Sequence, residues 1–218
     1  GTGPYTFSWT GPSGFTSTNE DLTALAPGTY TVTVTETVSG CVSAPTNFIV
    51  NDTPPTLSLN NVATPNSRCV AAFNGAINLT VGGTATGPFN FAWTSPVVGF
   101  VDPGTEDLTL LADGDYTVTV TDVPSGCFIT SAAITVANAR PTISATGTVT
   151  DNTRCVAAFD GAVDITPAGG TGPYTFSWTG PSGFTSTNED IAAIPSGTYI
   201  VTVTETVSGC VSPPTNFV

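Results

Sequence analysis

The stretch that decides the fold is GTYTVTVTETVSGC, at residues 28–41. Its first part alternates strictly, with Tyr30, Val32 and Val34 on one side and threonines on the other. Because successive side chains of a β-strand point to opposite faces, this pattern predicts a strand with one buried and one solvated face. The Ser-Gly-Cys that follows is typical of a turn.

The same stretch occurs three times. Related sequences occupy residues 114–127 and 197–210, and residues 1–21 recur without change at residues 170–190. The repeat length is about 85 residues, which indicates tandem structural modules.

Each period contains six or seven strand-like segments separated by Gly- and Pro-rich turns. Short strands at such regular spacing are typical of an immunoglobulin-like sandwich. The predicted fold class is therefore all-β, with tandem immunoglobulin-like β-sandwich repeats of about 85 residues in a linear array. In the middle period the predicted strands are residues 55–62, 75–83, 89–95, 106–111, 115–122 and 128–136.

The repeat boundaries predict three domains. Residues 1–51 are a partial repeat without its first two strands, residues 52–138 a complete repeat and residues 139–218 a nearly complete one. The linkers are short and contain proline, which favours a semi-rigid string of modules. We expect this sequence to be a window from a longer array.

Aromatic side chains alternate in the same way and predict the core. In each repeat three of them share one face of a strand, and a tyrosine begins the next long strand, as in the tyrosine corner of immunoglobulin-like domains. We interpret this stripe as core and not as a sugar-stacking platform. Its members are Tyr5, Phe7, Trp9 and Tyr30; Phe89, Phe91, Trp93 and Tyr116; and Tyr174, Phe176, Trp178 and Tyr199.

The charge balance excludes several functions. The chain has 16 Asp and Glu against 3 Arg and no His or Lys, for a formal net charge of −13. Nucleic-acid binding is excluded, because it needs basic side chains to neutralise phosphates. Without histidine or lysine, no Ser-His-Asp triad, His-ligated zinc site or Schiff base can form. We predict that the chain is not an enzyme, and no apolar run is long enough for membrane insertion.

Two motifs carry a resemblance to a known family. They are the run at residues 28–41 and the segment RCVAAFNGA at residues 68–76, which returns as RCVAAFDGA at residues 154–162. They resemble the SprB-type repeats of giant cell-surface adhesins in Bacteroidota, which are similar to PKD-like and other bacterial immunoglobulin-like modules. The resemblance spans all three copies. It implies a secreted filament at the bacterial outer surface, used in adhesion or gliding.

Five cysteines recur in two kinds of position. Cys41, Cys127 and Cys210 end the Ser-Gly-Cys turns, whereas Cys69 and Cys155 each follow an arginine. Regular recurrence in a surface-type chain indicates disulfides formed in an oxidising compartment. A catalytic or metal-binding thiol would need a histidine or another base, and the chain offers none.

The spacing leaves the pairing open. Pairing within repeats would join Cys69 to Cys127 and Cys155 to Cys210. The two kinds of cysteine belong to opposite ends of a sandwich, however, roughly 25 Å apart for strands of seven or eight residues. Bridged Cα atoms lie about 5.5 Å apart. A bond between consecutive repeats, Cys69 to Cys210, is therefore a second hypothesis, and free thiols are a third.

Acidic pairs beside the turns suggest calcium as a cofactor, since calcium takes carboxylate and carbonyl oxygens. No EF-hand or nonapeptide pattern is present, so solvated turns are the alternative interpretation and no cofactor is the simpler expectation. The pairs are Glu20 and Asp21, Glu106 and Asp107, and Glu189 and Asp190.

The sequence thus predicts a structural stalk segment of a long extracellular filament, stiffened by proline linkers and disulfides. Its expected partners are neighbouring repeats and sibling filament chains. The alternative is an adhesin module that binds a glycan or a host surface through exposed loops. Phe15 and Phe184, in the loop GPSGFTS, are the recurring candidates for that contact, and Phe100 corresponds to them loosely.

Overall fold

The computed structural model describes residues 2–218. The chain divides into two compact units, with the boundary between Pro55 and Thr56. Residues 56–218 form one unit that holds two sandwiches, here called the middle repeat (56–138) and the last repeat (139–218).

The first unit is a single four-stranded antiparallel sheet with the order β2-β1-β3-β4. Tyr30 and Val32 are buried, but Phe48 and Tyr5 are 53% and 46% exposed. The aromatic stripe of this unit is therefore less covered than a sandwich core would be, because the described residues 2–55 form one sheet by themselves. Its strands are β1 (Tyr5–Thr10), β2 (Thr16–Ser17), β3 (Gly28–Glu36) and β4 (Thr46–Val50).

The middle repeat is a sandwich of two antiparallel sheets. One sheet has the order β5-β6-β8, and in the other β9 pairs with β7 on one side and with β10 and β11 in succession on the other. The strands are β5 (Leu57–Thr64), β6 (Gly75–Gly83), β7 (Phe89–Thr94), β8 (Leu108–Leu111), β9 (Gly114–Asp122), β10 (Phe128–Thr130) and β11 (Ile134–Val136).

The last repeat has the same arrangement. Its sheets have the orders β12-β13-β16 and β15-β14-β17-β18, with β19 also paired to β17. The strands are β12 (Ser144–Thr150), β13 (Gly161–Ala168), β14 (Tyr174–Thr179), β15 (Thr185–Ser186), β16 (Ile191–Ile194), β17 (Tyr199–Glu205), β18 (Cys210–Val211) and β19 (Thr215–Phe217).

Each sandwich has its own apolar core, built from the alternating residues of both sheets. Trp93 and Trp178 are 3% and 1% exposed at the centres of these cores. The predicted tyrosine corners are present, since the hydroxyls of Tyr30, Tyr116 and Tyr199 each donate to a carbonyl four residues upstream at 2.9–3.0 Å. The all-β, immunoglobulin-like fold class predicted from the sequence is confirmed.

One predicted strand is divided. Residues 128–136 form β10 and β11 with a break at Ser131, whose hydroxyl accepts a hydrogen bond from Val118 N at 3.0 Å. Ser131 N in turn donates to Val118 O at 2.9 Å. Ser43 and Ser212 make the same pair of bonds in the other two copies. A serine hydroxyl therefore replaces one backbone carbonyl as the acceptor between the two strands at this point.

Candidate functional site: the junction between two repeats

The Ser-Gly-Cys turn of the last repeat is built around a carboxylate. Oε2 of Glu205 accepts hydrogen bonds from both the backbone N and the hydroxyl of Ser208, at 2.7 and 2.5 Å. The Ser208 hydroxyl accepts in turn from Cys210 N at 3.2 Å. Gly209 has φ +69°, a backbone conformation that favours glycine. The acid and the serine together fix the position of the cysteine.

The same turn recurs in the other two copies. Glu36 accepts from the backbone N and hydroxyl of Ser39, and Asp122 does the same for Ser125. These hydrogen bonds, led by the one from the serine hydroxyl, hold the pKa of each carboxyl below its ordinary range in Glu36, Asp122 and Glu205. Each carboxylate therefore stabilises its turn only while it is ionised.

We expect acid to loosen these turns. A carboxyl whose pKa is lowered by folding stabilises the folded state above its unfolded pKa, and this contribution is lost as the pH falls through the lowered folded pKa. For Glu205 the loss begins as the pH drops below the ordinary value of 4.5. The urea concentration at the unfolding midpoint, measured from pH 7 to pH 3, should decrease once the pH drops below 4.5. The variant Glu205→Gln should make this decrease shallower. An equally steep decrease in the variant would contradict the assigned role.

Facing this turn is the loop at residues 65–74, which precedes the second strand of the middle repeat. Asn66 is fully buried and organises it. Its amide donates to Arg68 O at 3.0 Å and to Asp113 Oδ1 at 3.2 Å, and its Oδ1 accepts from Arg68 N and Asn74 N. One asparagine side chain therefore provides hydrogen-bond partners for backbone groups on both sides of Cys69.

The loop is covalently joined to the turn of the next repeat. Cys69 and Cys210 form a disulfide with a Cα–Cα distance of 5.0 Å. Cys69 N donates to Ser208 O at 2.9 Å. Val70 lies over Gly209 so closely that a Cβ on that glycine would come within 2.4 Å of Val70 Cγ2. The contact thus combines a covalent bond, a hydrogen bond and a steric fit.

The linker between the two sandwiches is bound to the same loop. Asn66 N donates to Ala137 O at 2.9 Å, and Ala139 N donates to Asn66 O at 2.8 Å. The guanidinium of Arg140 pairs with the carboxylate of Asp113, and its Nε donates to Arg68 O at 3.1 Å. Both charged side chains are half-buried, which makes this ion pair less screened than a fully exposed one. Loop, linker and turn form one contact surface between the two repeats.

The five cysteines are divided between one disulfide and three free thiols. Cys69 and Cys210, from consecutive repeats, are joined, whereas Cys41, Cys127 and Cys155 are free thiols. Pairing within a repeat is not observed.

Two of the predicted calcium ligands accept hydrogen bonds from strands. Asp107 Oδ1 accepts from Leu79 N at 2.9 Å and Asp190 Oδ1 accepts from Ile165 N at 2.8 Å, which ties each loop to the neighbouring strand. Across residues 2–218 no group of three or more His, Cys, Asp or Glu side chains lies together. The other four members of the predicted set, all of them exposed, are Glu20, Asp21, Glu106 and Glu189.

The predicted ligand-binding phenylalanines pack against the tyrosine corners. The rings of Phe15 and Phe184 meet Tyr30 and Tyr199 edge-on, with centroids 5.2 Å apart in both cases. Phe100 packs on its tyrosine at 5.3 Å in the middle repeat. Each ring is half-buried and extends the core to the end of the sheet.

Sequence reasoning missed the roles of Asn66, Asp113 and Arg140. A signal for the last two exists in the repeat alignment. Arg140 lies in the linker between the middle and last repeats, and the corresponding residue in the linker before the middle repeat is Pro54. Asp113 lies in the middle repeat, and the corresponding residue in the first copy is Pro27. The acid and the base therefore occur together in the same junction, as expected for an ion pair.

Comparison with known proteins gives one family match. Residues 146–183 match the SprB repeat, which confirms the resemblance for the segment that they cover. No curated protein matches the chain. None of the described residues belongs to a helix long and apolar enough to span a membrane.

Several solved structures match the chain along most of its length. Three N-terminal domains of the bacteriophage RB49 highly immunogenic outer capsid protein have 13% identity and a TM-score of 0.37, over 98% of this chain and 86% of that one. Immunoglobulin domains 1–4 of Sidekick-1 have 16% identity and a TM-score of 0.26, over 99% and 65%. The FN1–FN3 domains of chicken CNTN1 have 14% identity and a TM-score of 0.25, over 98% and 89%.

Proposed function

We propose that this chain is a non-catalytic stalk segment of a long extracellular filament at a bacterial surface. The SprB match and the immunoglobulin-like sheets support the broader class, a surface adhesin-type repeat protein. The observation that carries the stalk role is the junction, where a disulfide, an ion pair and a buried asparagine couple two sandwiches. A module that only displayed a ligand site would have no need of such coupling.

In this role the chain works mechanically. Each sandwich buries its own core, and the junction transmits force and orientation from one repeat to the next. The partners are the neighbouring repeats of the same chain, and the function requires no cofactor. A chain with 16 acidic and 3 basic side chains also repels anionic polymers, which suits a projecting fibre. An oxidising, extracellular location accords with the disulfide.

The proposal predicts that the two sandwiches of residues 56–218 tumble as one body. Residual dipolar couplings of the oxidised chain should fit one alignment tensor for both sandwiches. The variant Cys69→Ser/Cys210→Ser/Arg140→Ala should require two tensors, since the covalent bond and the ion pair are both removed. The matched control is Cys127→Ser/Cys155→Ser, which removes two free thiols and should keep one tensor. Two independent tensors in the oxidised wild-type chain would contradict a stiff stalk.

A further inference from the structure

The arginines of this chain lie only in its loops and its linker. The chain has three of them and no lysine. Arg68 and Arg154 lie in corresponding loops of the middle and last repeats, and Arg140 lies in the linker between these repeats. Endopeptidases of the trypsin class bind a basic side chain in an acidic pocket and cut the bond that follows it. They therefore find no bond to cut within any strand of residues 2–218.

The disulfide distinguishes these three positions. Arg140 and Arg154 lie between the two bonded cysteines, so hydrolysis after either one leaves the two pieces of the chain covalently joined. Arg68 directly precedes Cys69 and lies outside the segment that the disulfide closes. Hydrolysis of the Arg68–Cys69 bond therefore cuts the chain in two.

The hydrogen bonds of the Arg68 peptide groups oppose such hydrolysis. A serine endopeptidase must take the carbonyl oxygen of the bond that it cuts into its oxyanion hole. The Arg68 carbonyl already accepts from Asn66 Nδ2 at 3.0 Å and from Arg140 Nε at 3.1 Å. Arg68 N donates to Asn66 Oδ1 at 3.2 Å, and the Arg68 guanidinium donates to Ala72 O at 3.3 Å. The carbonyl and the side chain that an endopeptidase must bind are therefore both engaged within the protein.

The other side of the same bond is held by the last repeat. Cys69 N, the nitrogen released by hydrolysis, donates to Ser208 O at 2.9 Å, and the Cys69 sulfur is bonded to Cys210. The guanidinium on the Arg68 carbonyl comes from the linker that leads to this repeat. Because these contacts come from outside the loop, the protection of the Arg68–Cys69 bond depends on the closed junction.

We propose that the Arg68–Cys69 bond is a cleavage site for an arginine-specific endopeptidase, protected in the closed junction and exposed when the junction opens. Opening begins with reduction of the Cys69–Cys210 bond, for which a dithiol supplies two electrons and two protons and becomes a cyclic disulfide. Hydrolysis then adds one water across the peptide bond, giving a carboxylate on Arg68 and an amine on Cys69. The inference rests on the contacts around this bond and not on the stalk role.

Limited digestion of the full chain with trypsin tests this site. Because the chain has no lysine, trypsin can cut only after arginine, and it does not cut the bond between Arg140 and Pro141. The substitution Arg154→Gln removes the third position. In this background every cut should fall after Arg68, and mass spectrometry should find the fragments 1–68 and 69–218. Adding Arg68→Gln should abolish cleavage.

The comparison is made between the oxidised Arg154→Gln chain and variants of it with an opened junction. Cys69→Ser/Cys210→Ser should be cut at least about tenfold faster than the oxidised chain, because proteolysis follows the population of the open form. Addition of Arg140→Ala to this variant should raise the rate further, since it frees the Arg68 carbonyl.

The matched control is Cys127→Ser/Cys155→Ser, which leaves the disulfide in place and should be cut as slowly as the oxidised chain. Fluorescence of the buried Trp93 and Trp178 shows whether both sandwiches stay folded during digestion. Equal cleavage rates in the oxidised chain and in both opened variants would overturn the proposal. Cleavage after Arg68 that occurs only once the tryptophan fluorescence reports unfolding would overturn it as well.

Discussion

Stretching the chain from its two ends should leave about 490 Å of contour length hidden as long as the Cys69–Cys210 bond is intact. The two cysteines are 141 positions apart, and each extended residue contributes about 3.5 Å. Force that enters at one end passes through the disulfide and bypasses everything between the two cysteines. Most of both sandwiches is therefore shielded from the load.

Single-molecule force spectroscopy would measure this length directly. Addition of a reductant, or the variant Cys69→Ser/Cys210→Ser, should release the hidden 490 Å or so as additional extension. The control Cys127→Ser/Cys155→Ser should leave it hidden, since neither of these cysteines is bonded.

The measurement also distinguishes the disulfide hypotheses. Bonds within repeats, from Cys69 to Cys127 and from Cys155 to Cys210, would hide only about 400 Å, and free thiols would hide none. A hidden length of about 400 Å would contradict the bond between repeats. Full extension of the oxidised chain would contradict the proposed load path altogether.

The strands could be predicted well from the sequence, because the two-residue alternation of apolar and polar side chains lies within each strand. Residues 75–83 were predicted as a strand and form β6 with the same bounds, and the tyrosine corners follow from the Gly-Xaa-Tyr at or just before the start of each long central strand. In these elements the alternation of apolar and polar side chains decides which face is buried. Only neighbouring positions matter for this pattern, so one copy of the repeat is enough to show it.

The junction could not be predicted in the same way. Its interactions join residues far apart in sequence: 72 positions separate Arg140 from the Arg68 carbonyl, and 47 separate Asn66 from Asp113. No periodicity encodes such contacts. The topology of a sandwich did restrict the pairing of the cysteines, because it places the two kinds of cysteine at opposite ends. The relative position of the next repeat, which selects Cys210 as the partner of Cys69, depends on the linker and its arginine.

Two tryptophans in identical sequences should contribute very differently to the stability of their repeats. Trp9 and Trp178 lie in the same segment YTFSWT, and each indole donates to a carbonyl ten residues downstream at 3.0 Å. Each ring also packs on a phenylalanine, at 5.7 and 5.9 Å respectively. The local environments are therefore matched. The difference is the opposite sheet, formed by β12, β13 and β16, which covers only Trp178.

Trp178→Ala should lower the free energy of unfolding of the last repeat by about 3–5 kcal/mol, because it removes a fully buried ring and leaves a cavity. Trp9→Ala should cost about 1 kcal/mol or less, since its ring is already partly in water. Amide hydrogen exchange can measure each effect at a single amide of the variant concerned. Val203 N, bonded to Ser212 at 2.9 Å, reports on the last repeat, and Val34 N, bonded to Ser43 at 3.0 Å, reports on the first unit.

This pair of variants isolates the contribution of the second sheet, because sequence, hydrogen bond and aromatic neighbour are held constant. If burial between two sheets determines the cost, Val203 should lose far more protection in Trp178→Ala than Val34 loses in Trp9→Ala. Equal losses would contradict this explanation, and would mean that the hydrogen bond and the aromatic contact within one sheet already account for the stabilising effect of the tryptophan.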